Sequence, residues 1–153
     1  MDLKKTYGFD QEKASEGVWV DLPSGGRVRV CKLGTLEYQQ AINRASRKYL
    51  AKIRTNTLSA EEANAIACAA LSEAIVRDWA EIEEEGTLVP FSKVNARRLL
   101  STYSGFKDDV ETVAGDPENF QEDDEGGRES DTKNSLTTSS GSSVSGSDAP
   151  TFS

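Results

Sequence analysis

Side chains able to do chemistry are sparse in this chain of 153 residues, and the missing types narrow its function first. No histidine occurs, which removes the commonest general base and the commonest transition-metal ligand together. Cys31 and Cys68 form no Cys-x-x-Cys spacing, and two thiols without imidazole do not make a zinc site. Their expected state is reduced and buried. Carboxylates come in runs, Glu83-Glu84-Glu85 and Glu122-Asp123-Asp124-Glu125, whereas a cation loop needs spaced ligands around a turning glycine. Such runs read as solvated charge. Gly25-Gly26 is a turn, because no Gly-Lys-Ser/Thr or G-x-G-x-x-G follows to cradle a phosphate. The many serines lack an activating base. Nothing here argues for an enzyme, a cofactor or a metal, and an interaction protein is the expected class.

The residues suited to meeting a partner are Trp19, Arg44, Arg47, Lys48 and Lys52. The four cations, with Arg54, lie in a stretch holding no acidic residue. One reading is a basic helix for an acidic partner or nucleic acid. The competing reading is a solvated face, its cations favoured near a helix C-terminus by the helix dipole. The acidic tail folding back on this helix is a third. Trp79 continues an apolar stripe and reads as core. Trp19 points away from the Val18 and Val20 face of its strand, so it lies under a second layer or stays exposed as a contact residue.

Net charge is −8, and it is unevenly spread. Residues 1–114 carry 16 basic and 17 acidic side chains; residues 115–153 carry 2 and 9, together the 18 and 26 of the whole chain. Net acidity disfavours nucleic acid and anionic membrane as bulk partners. Met1-Asp2-Leu3-Lys4-Lys5 has no apolar run behind it, and no stretch approaches the ~20 apolar residues that span a bilayer. The chain is expected to stay in the compartment where it is made.

These residues must be positioned by a small α+β, mainly α, domain. Residues 1–16 are polar and read as a flexible arm. Val18, Val20 and Leu22 alternate, as do Val28 and Val30, on either side of Pro23-Ser24-Gly25-Gly26, which predicts a β-hairpin. Tyr38, Ile42, Ala45, Tyr49 and Ile53 predict one amphipathic helix from the Thr35 cap to about Arg54. Ser59 and Glu62 form a capping box, and Leu71, Ile75, Trp79 and Ile82 extend a second helix to about Glu85, with Gly86 as its stop. Ser92 caps a third, with Val94, Leu99, Leu100 and Tyr103 inward. After a break at Ser104-Gly105, Phe106, Val110 and Val113 mark a last short helix. The domain spans 17–121. Residues 122–153 form an acidic Ser/Thr/Gly-rich tail, too poor in apolar surface to offset the cost of ordering, and are expected to be disordered.

Several segments, in order, carry a resemblance: Glu16-Gly17-Val18-Trp19-Val20-Asp21; Lys32-Leu33-Gly34 leading to Tyr38; Ala74-Ile75-Val76-Arg77-Asp78-Trp79; Val89-Pro90-Phe91-Ser92-Lys93-Val94-Asn95-Ala96-Arg97-Arg98-Leu99-Leu100; and Asp116-Pro117-Glu118-Asn119-Phe120. Over residues 1–121 the chain resembles the tail assembly chaperones of long-tailed bacteriophages. That resemblance implies a non-enzymatic factor of the host cytoplasm, absent from the finished virion. Such a factor binds the helical tape measure protein, keeps it soluble and gives way to tail tube subunits. Self-association is a further expectation. The family offers no motif-defined active site to carry over. The rival expectations are a head–tail completion or other structural phage protein, and a small nucleic-acid-binding regulator using the basic helix.

Overall fold

The computed structural model describes residues 1–123, and the tail from residue 124 onward lies outside the described residues. Mixed α+β architecture, mainly helical, is as the sequence predicts. Strands β1 (Val18–Asp21) and β2 (Arg27–Val30) pair antiparallel, Val18 opposite Val30 and Val20 opposite Val28. The turn between them uses φ values of 103° at Gly25 and 81° at Gly26, a left-handed backbone that favours glycine.

A third strand departs from expectation. Helix α5 (Ala60–Ala70) begins on Ser59 with both halves of the capping box formed, but it does not reach Glu85. A single π turn (Leu71–Ile75) widens its end, and the chain then enters β3 (Val76–Ala80), which pairs antiparallel with β2. Ile75, Val76 and Trp79 favour a pleated surface, and the hairpin needs a third strand for stability. Steps of four between Leu71, Ile75 and Trp79 suit a helix equally well, so periodicity alone could not separate the two. Val76 and Trp79 are both buried although three residues apart, which strict alternation forbids. The register shift at Arg29/Val30 reconciles them: Val30 faces Val76 and Arg29 faces Asp78, leaving Arg77 as the extra residue of a bulge. Arg77 then donates from Nε to Cys31 Sγ at 3.1 Å and from Nη2 to the Ser15 carbonyl at 3.4 Å.

Gly86 stops no helix either. Strands β4 (Glu83–Glu84) and β5 (Thr87–Leu88) close over Glu85 (φ 50°) and Gly86 (φ 81°), the left-handed pair that a two-residue hairpin turn requires. The long first helix is likewise divided. Thr35 caps α3 (Leu36–Ser46), a 3₁₀ turn follows at Arg47–Tyr49, and α4 (Leu50–Arg54) resumes. Ser46 Oγ donates back to the Ile42 carbonyl at 2.7 Å, the contact by which serine bends a helix.

Ser92 caps α6 (Lys93–Thr102) as predicted, with Leu99 and Leu100 buried, but Val94 is 78% exposed and Ala96 takes the inward place. The break before α7 (Ser104–Gly115) falls at the extended Tyr103, one residue earlier than expected. A 3₁₀ turn (Pro117–Phe120) then sinks Phe120 fully into the core.

Residues 1–16 hold two short helices, α1 (Leu3–Tyr7) and α2 (Gln11–Glu16). The first buries nothing. The second is tied down: Ala14 is buried, its carbonyl accepts from Lys32 N, and Asp10 N donates to the Phe120 carbonyl at 2.7 Å. The core gathers Val28, Val30, Leu71, Ile75, Trp79 and Phe120, with α7 packing on β2 and α6 on α5, α7 and the π turn.

Candidate partner-binding groove

The division of the first helix decides where its cations go. Arg44 lies in the last turn of α3, and the 3₁₀ turn carries Arg47, Lys48 and Tyr49 along one wall of a groove of about 390 Å³. The facing wall is α5, whose Ala65 and Ala69 with Ala45 of α3 form a floor of small side chains. Glu73 comes from the π turn and Arg97 from α6. Four cations thus line the groove against one carboxylate, and that carboxylate is engaged by Arg44. Lys48 Nζ lies 5.3 Å from the Tyr49 ring centroid, which orients the ammonium.

The structure therefore brings together Arg44, Arg47 and Lys48. Lys52 does not line the groove; its Nζ pairs with Glu62 at the start of α5. Trp19 is also elsewhere. It stands 41% exposed on the open face of the sheet, with the Arg27 guanidinium 5.0 Å from its ring centroid and Arg27 Nε 3.3 Å from Asp21. Sequence reasoning missed Arg97 and Glu73. Adjacent arginines on a helix point about 100° apart, so Arg97 serves the groove while Arg98 turns to Glu84. That division was visible in principle from helical geometry, but the partner of each required the tertiary fold.

Trp79 belongs to the core, as expected, though from a strand. Its Nε1 donates to the Val89 carbonyl at 2.7 Å, and its ring meets Phe91 and Phe106 edge-on at 5.1 and 6.2 Å between centroids. Cys31 and Cys68 are both free and buried. Among the described residues, no group of three or more Cys, Asp or Glu is placed to hold a metal ion, and no helix is long and apolar enough to cross a membrane.

On another face lies a larger cavity of about 890 Å³. Glu84 sits in it, accepting from Arg98 Nη1 at 3.1 Å and from the Tyr103 hydroxyl at 2.6 Å. These donors, Arg98 foremost, hold its carboxyl below the usual carboxylate range, and the same carboxylate pushes the Tyr103 hydroxyl up. The unfolded chain then binds more protons than the native one between the depressed value and the ordinary one of about 4.3. The contribution is present above that ordinary value and is lost as pH falls through the native one. In urea titrations from pH 7 to pH 3, Glu84→Gln should lose less stability than the wild type on the acid side. Parallel acid profiles would contradict the role given to this carboxylate.

What the fold and site define is a small, mainly helical α+β domain with a cation-lined groove. The chain belongs to the YdaY prophage protein family, whose model matches residues 33–133. Its phage origin follows from that membership. The match begins after the β1–β2 hairpin and runs past the last described residue into the tail. No curated protein and no solved structure gives a significant match.

Proposed function

We propose that this prophage protein is a non-enzymatic tail assembly chaperone acting in the host cytoplasm. It binds the tape measure protein, keeps it soluble, helps recruit tail tube subunits and is not retained in the virion. The observation that carries this reading is the groove between α3, its 3₁₀ turn and α5. A floor of alanines lets a partner helix approach closely, and Arg47, Lys48 and Arg97 along the rim meet its carboxylates. Membership of a prophage family supports a phage setting, and the resemblance over residues 1–121 suggests the tape measure protein as the partner. The net negative charge of −8 weighs against nucleic acid as that partner.

Mass spectrometry of purified phage particles tests the proposal. It should find tape measure and tail tube peptides without this chain. Abundant copies in particles would overturn the chaperone reading in favour of a head–tail completion protein.

A further inference from the structure

We propose that the chain self-associates head to tail, with α4 of one copy seated in the acid-rimmed cavity of the next. The proposal stands independently of the chaperone reading and rests on two surfaces that complement each other.

The first surface is α4 itself. Every residue from Leu50 to Thr57 is exposed, and the helix buries none of its five residues. Leu50 (45% exposed) and Ile53 (43%) lie three apart, on one face. A helix of one and a half turns that fully buries none of its residues, and leaves nearly half of both Leu50 and Ile53 exposed, gains less from packing than its stability calls for, since short helices are held mainly by packing. Its flanks are cationic. Lys52 is braced by Glu62, while Arg54 has no ion pair among the described residues. No acidic side chain occurs between Glu37 and Glu61.

The second surface has the opposite character. Ile82, Leu99 and Phe106 give the cavity an apolar floor. Glu81, Glu83, Glu85 and Asp109 line it, together with the Glu84 that Arg98 and Tyr103 already engage, and no Lys or Arg is among its lining residues. Glu81, outside the β4–β5 turn, holds a φ of 62°, a left-handed backbone that costs a non-glycine residue and tends to collect at functional surfaces. An occupant must therefore be apolar at its centre and cationic at its edge. Leu50 and Ile53 supply the centre, and Lys52 and Arg54 the edge. At about 890 Å³, the cavity is in the range that accepts a side-chain cluster of this size.

Knob and cavity are different patches of one chain, so the contact is heterologous and each copy offers one of each. That property makes the test decisive. Sedimentation of the full-length protein at low salt, over roughly 1 µM to 1 mM, should show mass rising with concentration and falling back as salt screens the rim. Ile53→Glu spoils the knob alone, and Glu83→Lys/Glu85→Lys spoils the cavity alone. Both sites are exposed, and circular dichroism verifies that each variant folds. Each variant alone should stay monomeric to concentrations about tenfold or more above those at which the wild type associates. Mixed, they should form a closed heterodimer, because one keeps the cavity and the other the knob. A monomeric wild type, association that survives either variant, or a mixture that stays monomeric would each overturn the proposal.

Discussion

Replacing Trp79 with alanine should give one of the largest losses of stability available to a single change in this protein. The indole is buried at the junction of β3, the segment before α6, and α7, where it meets Phe91 and Phe106 edge-on. Truncation leaves a cavity worth about 3–5 kcal/mol and strands the Val89 carbonyl that Nε1 now satisfies. Small domains are stable by only about 5–15 kcal/mol, so the variant should melt roughly 10 °C or more below wild type. Trp79→Phe should recover part of that loss, restoring ring contacts but not the hydrogen bond. A Trp79→Ala protein that melts within about 2 °C of wild type would show that the indole does not hold β3 and α7 together.

The second large effect concerns binding. Reversing Arg44, Arg47 and Lys48 to glutamate removes three of the groove's four cations and frees Glu73 from its ion pair. All three side chains are exposed, so the domain should fold and melt like wild type. Arg47 and Lys48 meet the partner while Arg44 holds Glu73, so at about 1 kcal/mol for each partly screened contact the affinity for the proposed tape measure partner should fall roughly thirtyfold. Lys52→Glu serves as the control, since Lys52 pairs with Glu62 outside the groove and should change binding little. Because Lys52→Glu changes net charge by −2 against −6 for the triple variant, a Lys52→Glu loss of about one third of the triple variant's free-energy loss would mean that net charge, not the groove, governs the interaction.

How much of this was legible in the sequence follows from how local each rule is. The β1–β2 hairpin and the caps at Thr35, Ser59 and Ser92 depend on residues a few positions apart, and all formed as read. Strand β3 was hidden because its pairing partner, β2, is remote in sequence, while its own apolar spacing suits a helix equally well. Val94 misled for a related reason: nothing local reveals which side of α6 meets α5, α7 and the π turn, and Ala96 rather than Val94 is buried there. The basic stretch 44–48 was recognised from its composition. That Arg97 and Glu73 complete its groove depends on where α6 and the π turn pack, which no spacing rule encodes. The full burial of Phe120 likewise rests on contacts remote in sequence, with Asp10 N donating to its carbonyl.

The central claim is most directly tested by the solubility of the tape measure protein of the same prophage, produced with and without this chain in the bacterial cytoplasm. Co-production with the wild-type chain should move the tape measure protein into the soluble fraction as a complex that copurifies with it. Co-production with the Arg44→Glu/Arg47→Glu/Lys48→Glu variant should leave it aggregated. A tape measure protein that stays insoluble beside the folded wild-type chain, or that is soluble and unbound without it, would contradict the account.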